Sequence, residues 1–264
     1  ARGGPAPGAP PGRPPPPRPA APRGPARRAG PGGGPDPGSI AFDGDGDRIG
    51  VIDGEGEILW GDQLMLVWSA DILADNPGAT IIADVKASQV LFDQIAEMGG
   101  IPLMWRTGHS LIKAKMAETG ALLSGEMSGH IFFADDYYGY DDALYVAARL
   151  VQLLSRTNKT LSELKAEIPV YYSTPEMRME AKDDKEKFLI ANNAVEYFAE
   201  HYDCITVDGV RIKFGDGWGL VRSSNTQPVI VCRFESNSPN RRDEIMDIVL
   251  TKLSEFGELK LGGH

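Results

Sequence analysis

Three aspartates stand at alternate positions of the segment DGDGDR, residues 43–48, separated by single glycines and followed by an arginine. Alternate residues of an extended chain normally face opposite sides, but the two glycines free the backbone to turn the carboxylates towards one point. Three carboxylates converge stably around a cation, and hard oxygen ligands in small number suit Mg²⁺. Asp43, Asp45 and Asp47 are therefore predicted to bind Mg²⁺. Arg48 adds a guanidinium that suits a phosphate or carboxylate beside the metal.

The acidic segment is open to other interpretations. A calcium EF-hand is excluded, because position six should be Gly and is Arg48, and position twelve should be Glu and is Gly54. An aspartyl-phosphate enzyme with Asp43 as nucleophile stays open, since a strand ending in Asp-x-Asp suits that chemistry. Such enzymes usually have a small Thr or Val where Asp47 stands. A solvated acidic loop is the plainest alternative.

A second polar segment, GEMSGH at residues 125–130, brackets Glu126 and Ser128 with glycines after a predicted strand. A carboxylate and a hydroxyl on a tight loop can accept hydrogen bonds from neighbouring sugar hydroxyls. An ordinary polar turn is the alternative. The segment RTGHS places His109 just before a predicted helix, whose N-terminus attracts anions. A lone histidine there can equally be a cap or a surface residue.

A third polar segment, RSSNTQP at residues 222–228, lies between two predicted strands. Its first five residues, 222–226, hold one guanidinium, three hydroxyls and an amide, an inventory that fits a phosphate monoester, with Arg222 binding in bidentate fashion. A polar hairpin turn is the alternative, and the absence of glycine from the segment weakens it.

The elements that must position these segments alternate along the first part of the chain. SIAF at 39–42 is predicted to be a short buried strand, and VIDGEGEIL a hairpin turning at Asp53 and Gly54. The next predicted elements are helix 61–74, strand 79–85, helix 88–98, strand 101–105, helix 110–119, strand 121–124 and helix 141–155. This alternation indicates an α/β unit with a parallel sheet.

The order of elements changes after a joint at RTNKTLSELKAEIP, which carries a helix start at Thr160 and ends at Pro169. The elements predicted beyond it are strand 170–179, helix 184–201, four short strands between 204 and 235, and helix 239–256. Strands clustered between two helices indicate an α+β unit. The predicted domains are 1–38, 39–57 with the acidic segment, 58–168 and 169–264.

Composition limits the classes of function. The 264 residues carry a net charge of −10, which argues against nucleic acid or anionic lipid as the main partner. No apolar run approaches the roughly 20 residues of a membrane span. Cys204 and Cys232 lack metal-ligand spacing and are interpreted as reduced core residues of a cytoplasmic protein.

Residues 1–38 contain 14 Pro, 10 Gly, 7 Ala, 6 Arg and a single Asp. Such a composition has no side chain large enough to form a core, and disorder is the physical expectation. Two interpretations compete: a genuine basic tail, or a GC-rich stretch translated in the wrong frame, which we favour. The folded protein is expected to begin near Ser39.

Taken together, the segments DGDGDR, GEMSGH and RSSNT resemble, in the same order, those of the α-D-phosphohexomutases of the bacterial phosphomannomutase/phosphoglucomutase type. DVK ending at Lys86 and TGH ending at His109 support the resemblance, which spans roughly residues 40–258. It implies a four-domain fold, of which this sequence covers the end of domain II, the whole α/β domain III and the whole α+β domain IV.

The resemblance also implies a reaction and roles for residues. The reaction interconverts hexose 1-phosphate and hexose 6-phosphate through a phosphoserine and a hexose 1,6-bisphosphate, with Mg²⁺. Arg48 would lie at the reacting phosphate, with Lys86 and His109 as candidates for proton transfer or phosphate contact. The implied substrate-binding residues are Glu126, Ser128 and His130 for the sugar and Arg222, Ser224, Asn225 and Thr226 for the other phosphate. The expected partners are hexose phosphates of glucose or mannose, and the chain is a monomer or an oligomer of unknown size.

One departure from the family pattern concerns the phosphoserine. Its Thr-Ala-Ser-His-Asn-Pro type of loop does not occur among these 264 residues, and Ser39 lacks the neighbouring His-Asn-Pro. We therefore expect this polypeptide by itself to bind sugar phosphate feebly and to show no mutase turnover. The alternatives are a non-catalytic sugar-phosphate-binding fragment and an aspartyl-phosphate phosphatase that uses Asp43.

Overall fold

The computed structural model describes residues 38–224 and 226–262, and the predictions for residues 1–37 and for Asn225 lie outside this range. The described part contains three sheets and seven helices. None of these helices is both long enough and apolar enough for a membrane crossing.

A small antiparallel sheet carries the acidic segment. Its strands are β1 (Ser39–Phe42), β2 (Ile49–Ile52) and β3 (Ile58–Leu59), and Phe42 pairs with Ile49, so the acidic segment is the loop of a hairpin. The strand at 39–42 was predicted correctly, but its predicted burial was wrong, since Phe42 is 42% exposed. The physical reason is that β1 is an edge strand of a sheet that buries Ile49 and Val51 from β2.

The middle unit packs helices on a four-stranded sheet of order β5-β4-β6-β7. Its elements are α1 (Gly61–Asp75), β4 (Thr80–Asp84), α2 (Gln89–Glu97), β5 (Ile101–Trp105), α3 (His109–Thr119), β6 (Leu123–Gly125), β7 (Ile131–Phe133), α4 (Ala143–Arg156) and α5 (Leu161–Ala166). The predicted parallel pairing is confirmed for β5, β4 and β6. Strand β7 was not predicted, and it runs antiparallel because five residues after β6 allow only a hairpin.

The start of α5 agrees with its sequence signal. Thr160 accepts a hydrogen bond from the amide of Glu163, and the Glu163 carboxylate accepts one from the amide of Thr160. This reciprocal capping satisfies two amides that a helix N-terminus leaves without partners. Helix α5 therefore begins where the sequence predicts.

The last unit is an antiparallel sheet of order β10-β11-β12-β13-β9-β14, with β8 also paired to β13. Its elements are β8 (Tyr172–Ser173), β9 (Met177–Glu180), α6 (Asp184–His201), β10 (Cys204–Ile205), β11 (Val210–Lys213), β12 (Gly217–Ser223), β13 (Val229–Ser236), α7 (Pro239–Ser254) and β14 (Lys260–Leu261). The single strand predicted at 170–179 is two strands, because Pro175 between them has no amide to donate. Strand β14 was not predicted.

Both helices of this unit pack on one face of its sheet, around Phe198, Phe234 and Ile245. Cys232 is fully buried in this core, whereas Cys204 is partly buried at its margin, and both thiols are unpaired. Burial raises the pKa of the Cys232 thiol to about 12. This thiol is therefore protonated at neutral pH and unreactive.

Buried charges join the middle and last units. The Arg211 guanidinium donates to the carbonyl oxygens of Val85 and Ala87, at 2.7 and 2.8 Å, and lies 3.6 Å from the ring centre of Trp218. One oxygen of Glu235, a buried carboxylate, accepts hydrogen bonds from Ser88, Gln89 and Trp218. The loop between β4 and α2 is thus held by side chains of the other unit.

Candidate functional site

The hairpin loop between β1 and β2 brings the three predicted metal ligands together. Asp43, Asp45 and Asp47 each offer a carboxylate oxygen, and these oxygens all lie within 4.8 Å of one another. Gly46 has φ of 75°, a backbone conformation that favours glycine, whereas Gly44 does not use this region. The loop geometry is therefore compatible with a shared cation.

Hydrogen bonds to Asp43 fix the shape of the loop. Its Oδ1 accepts from the amides of Asp47 and Arg48, both at 3.2 Å, and its Oδ2 accepts from Arg48 Nε at 2.5 Å. Desolvation acts to raise the pKa of Asp43, but the hydrogen bonds from the Arg48 side chain and backbone prevail and lower it to about 2. Asp43 is therefore ionised throughout the physiological range.

Asp47 links this loop to the GEMSGH segment. Its Oδ2 lies 3.8 Å from Nδ1 of His130, and among the described residues its buried Oδ1 has no hydrogen-bond partner. Burial raises the pKa of Asp47, and the His130 ring opposes this shift. Arg48 Nε lies 3.8 Å from this oxygen, too far for a hydrogen bond. A hard cation such as Mg²⁺ held among the three carboxylates would satisfy the buried oxygen. The residues present fit that ion.

The GEMSGH segment forms the tight turn between β6 and β7. Glu126 is buried, its Oε1 accepts from the amide of Gly108 at 2.7 Å, and its Oε2 accepts from Ser128 Oγ at 2.9 Å. The amide of Ile49 donates to the carbonyl of Gly129, which holds the acidic hairpin against this turn. Two hydrogen bonds thus hold the Glu126 carboxylate in a turn that contacts the hairpin of the predicted metal ligands.

Lys86 follows β4 and lies almost fully buried beside two carboxylates. Its Nζ is 3.7 Å from Oδ2 of Asp84 and donates to Oε2 of Glu176 at 3.3 Å. Burial raises the pKa of Asp84 to about 6. The positive charge of Lys86 acts to lower this pKa, and the nearby Glu126 carboxylate acts to raise it. The predicted catalytic lysine therefore sits in an acidic pocket formed by both units.

His109 is the first residue of α3, one position earlier than the helix start that the sequence predicts. Its Nδ1 lies 3.0 Å from Oδ2 of Asp141, and its ring stacks on that of His130 with centres 5.4 Å apart. Lys113 donates to the other oxygen of Asp141 at 2.7 Å. His109 is half exposed, so it can reach a ligand above the His130 ring.

The RSSNTQP segment joins β12 to β13. Arg222 is buried at the end of β12, its Nε donates to Asp208 Oδ2 at 3.0 Å, and its Nη2 has no partner among the described residues. Ser224 Oγ lies 3.3 Å from the amides of Thr226 and Gln227. A buried Lys187 donates to the carbonyls of Ser224 and Gln227 and so anchors the loop from below.

A continuous set of contacts connects the predicted segments. Asp47 lies 3.8 Å from His130 in the GEMSGH turn, and Glu126 of that turn accepts a hydrogen bond from the amide of Gly108. The preceding amide, that of Thr107, donates to Asp208, which also accepts from Arg222. The sequence did not single out four charged residues that support the site: Asp84, Asp141, Lys187 and Asp208. An aspartate ending the apolar strand TIIAD was the one signal that could have pointed to Asp84.

Comparison with known families places both larger units. A family model described as phosphoglucomutase/phosphomannomutase, alpha/beta/alpha domain III, matches residues 60–172. A second, described as phosphoglucomutase/phosphomannomutase, C-terminal domain, matches residues 176–252. The two models therefore follow one another along the chain.

Individual relatives agree with the family models. A phosphomannomutase/phosphoglucomutase of Pseudomonas putida is 48% identical over 216 residues, which are 81% of this chain and 46% of the relative. The crystal structure of a phosphoglucomutase/phosphomannomutase family protein from Burkholderia thailandensis is 41% identical, with a TM-score of 0.75 over 84% of this chain and 48% of that one. The chain thus spans about half the length of the proteins it matches.

A more distant structure shares the fold alone. N-acetylphosphoglucosamine mutase of Aspergillus fumigatus, solved in complex with GlcNAc-6P and magnesium, is 14% identical with a TM-score of 0.64. The matched region is 84% of this chain and 49% of the mutase chain. On the family models and the closer relatives, the chain belongs to the phosphoglucomutase/phosphomannomutase family.

Proposed function

We propose that the chain is part of a phosphohexomutase that interconverts the 1-phosphate and 6-phosphate of mannose, glucose or both. The reaction would pass through a phosphoserine and a hexose 1,6-bisphosphate. Membership of the family supports this proposal, and the observation that carries it is the continuous set of contacts from the acidic hairpin to Arg222. These contacts link four segments in series, whose side chains suit a metal ion, a sugar and a phosphate.

Different residues would bind the phosphate and the sugar of the substrate. Arg222, Ser224, Asn225 and Thr226 would bind the phosphate that does not react, and the buried, unpaired Nη2 of Arg222 supports this role. Glu126 and Ser128 would accept and donate hydrogen bonds to sugar hydroxyls, with His130 beside them. These groups can serve a sugar bound in either orientation if the hydroxyls they contact are interchangeable on inversion.

The reacting phosphate would lie at the acidic hairpin. Asp43, Asp45 and Asp47 would hold Mg²⁺, which a solved phosphohexomutase of the same fold binds, and Arg48 would lie beside it. When bound, Mg²⁺ supplies positive charge that stabilises phosphate oxygens during in-line transfer. Lys86 and His109 would donate or accept a proton at the reacting oxygen, or contact the phosphate directly.

We also propose a reducing, cytoplasmic setting, which the two unpaired thiols Cys204 and Cys232 suit. Hexose phosphates would be the partners. Because the 264 residues contain no phosphoserine loop of the family type, this polypeptide alone is expected to bind its substrate feebly and to show no mutase turnover.

Calorimetric titration tests the proposal. With Mg²⁺ present, glucose 1-phosphate or mannose 1-phosphate should bind more tightly than inorganic phosphate, because Glu126 adds contacts to the sugar. Glu126→Gln should weaken sugar-phosphate binding by about tenfold, since one charge-assisted hydrogen bond is lost, and leave inorganic phosphate unaffected. Glu118→Gln, on the exposed face of α3, is the matched control.

Two results would count against the mutase assignment, and a third would contradict only the expected lack of turnover. Equal affinity for sugar phosphate and inorganic phosphate would remove the sugar-binding role of Glu126. Release of inorganic phosphate from glucose 1-phosphate would instead support a phosphatase using Asp43. Conversion to glucose 6-phosphate in a coupled assay would contradict the expected lack of turnover.

A further inference from the structure

Asp208 bridges the two units at the edge of the site. It lies in the turn between β10 and β11, and its side chain is 11% exposed. Its Oδ2 accepts one hydrogen bond from Nε of Arg222, in its own unit, and another from the amide of Thr107, in the middle unit, both at 3.0 Å. A single carboxylate oxygen therefore contacts two of the predicted ligand-binding segments.

The backbone on the far side of Asp208 is itself tied to the predicted sugar-binding carboxylate. Thr107 donates through its hydroxyl to Asp84 at 3.2 Å, and the next amide, that of Gly108, donates to Glu126 at 2.7 Å. Gly108 has φ of 133°, where residues with a side chain are strained. The two-residue segment 107–108 thus donates hydrogen bonds to three carboxylates, those of Asp84, Glu126 and Asp208.

The backbone beside Asp208 is also fixed. Gly209 has φ of 72°, and a Cβ atom there would lie 2.3 Å from the carbonyl oxygen of Val221 and 2.7 Å from Cα of Arg222. Only glycine permits this approach, so the turn rests directly on the strand that carries Arg222. The backbone of the turn that carries Asp208 is therefore held close to Arg222.

Arg222 is left with a defined orientation and a free donor. Its Nε is engaged by Asp208, while the buried Nη2 has no partner among the described residues. A buried guanidinium nitrogen without an acceptor carries a desolvation cost that an anionic ligand would offset. The planar guanidinium transmits the direction fixed at Nε to the nitrogen that faces the ligand.

We infer that Asp208 is a positioning residue that aims Arg222 and couples phosphate binding in the RSSNTQP loop to the Thr107–Gly108 backbone and hence to Glu126. This inference rests on the proposed role of that loop as a phosphate site. When phosphate engages Arg222, the strength of the hydrogen bond that the Thr107 amide donates to Asp208 changes, because Thr107 and Arg222 donate to the same oxygen. Phosphate binding therefore alters the hydrogen bond from the Gly108 amide to Glu126, the proposed sugar-binding carboxylate of the middle unit.

Amide NMR spectra of the complete 264-residue chain, titrated with inorganic phosphate, test this coupling. In the wild type, the amide signals of Ser224 and Thr226 should shift together with those of Thr107 and Gly108. In Asp208→Asn, the shifts at 107 and 108 should shrink, and phosphate affinity should fall by about tenfold, as when a partner that orients a ligating group is removed. Asp203→Asn removes an exposed carboxylate of the same unit and is the control.

Each outcome separates the inference from the proposal beneath it. Shifts at Ser224 and Thr226 without shifts at Thr107 and Gly108 would overturn the coupling while leaving the phosphate site in place. Unchanged phosphate affinity in Asp208→Asn would overturn the positioning role. No shift in either segment would show that the loop binds no phosphate, and both ideas would fall. Shifts at Thr107 and Gly108 that persist undiminished in Asp208→Asn would show that phosphate contacts the neighbouring His109 directly, and would also overturn the coupling. A well-dispersed amide spectrum of the variant shows that it is folded.

Discussion

At the scale of single residues, Asp84 shows how the fold sets a charge beside the site. The carboxyl group is fully buried, 3.7 Å from the Lys86 ammonium group, and accepts a hydrogen bond from Thr107. Burial raises its pKa to about 6, well above that of a free aspartate side chain, although the charge of Lys86 opposes the shift. Asp84 therefore changes its charge within two units of neutral pH.

This raised pKa predicts a pH dependence of stability. Between the two pKa values the folded protein holds a proton that the unfolded chain has lost, so the free energy of unfolding falls as pH rises from 4 to 6. The contribution of Asp84 is on the order of 3 kcal/mol, destabilising in full above pH 6. Asp84→Asn should flatten this part of the profile, as measured by urea unfolding at several pH values.

Asp93→Asn provides the comparison, because Asp93 is an exposed carboxylate on the neighbouring helix α2. It should leave the slope between pH 4 and 6 unchanged. If Asp84→Asn and Asp93→Asn give the same profile as the wild type, Asp84 is ionised in the folded protein well below pH 6.

Some residues of the site could be predicted from the sequence, and others could not, for a physical reason. The convergence of Asp43, Asp45 and Asp47 follows from local chemistry, since alternate glycines allow one short loop to gather its own carboxylates. Asp208 contacts Thr107, which is 101 residues away along the chain. Contacts of this kind depend on how two units pack, and no local pattern contains that information.

At the scale of elements, the acidic hairpin is docked on the GEMSGH turn through one glycine. Gly129 has φ of 97°, and a Cβ atom there would lie 2.5 Å from the carbonyl oxygen of Ile49. The amide of Ile49 donates to the Gly129 carbonyl at 3.1 Å. Close approach of two backbones, which only glycine permits, therefore sets the distance between the predicted metal loop and the predicted sugar loop.

Gly129→Ala should destabilise the protein by roughly 3 kcal/mol or more, because a positive φ and a backbone overlap act together. Gly78→Ala is a matched control, since Gly78 also has a positive φ, 80°, but has open space around the position of a Cβ atom. It should cost about 1–2 kcal/mol. Urea unfolding measures both, and equal losses would show that Gly129 does not fix the hairpin.

Most elements follow from hydrophobic period and capping residues, and the errors have clear causes. Helix α6 and strand β5 have the predicted bounds, because their ends carry strong local signals. Strand β7 is only three residues long and β14 only two, too short for a periodic pattern to appear. The exposure of β1 also escaped prediction, since burial depends on which other elements cover a strand.

At the scale of the whole molecule, the proposed site draws its residues from two units of the described part of the chain. Lys86 and Glu126 come from the middle unit, and Arg222 comes from the last unit, whose Arg211 and Glu235 are buried against the loop between β4 and α2. A buried charge that loses its partner costs several kcal/mol. Separating the two units would therefore leave these buried charges without partners, so the contacts favour the arrangement that brings Lys86, Glu126 and Arg222 onto adjoining segments.

A crystal structure of this chain with glucose 1-phosphate and Mg²⁺ tests the central claim most directly, that four segments form one hexose-phosphate site. We predict the phosphate in contact with Arg222, Ser224 and Thr226, the sugar hydroxyls on Glu126 and Ser128, and the metal ion among the carboxylates of the acidic hairpin. A phosphate bound at the acidic hairpin with the sugar directed away from Glu126, or a ligand bound outside these segments, would contradict the claim.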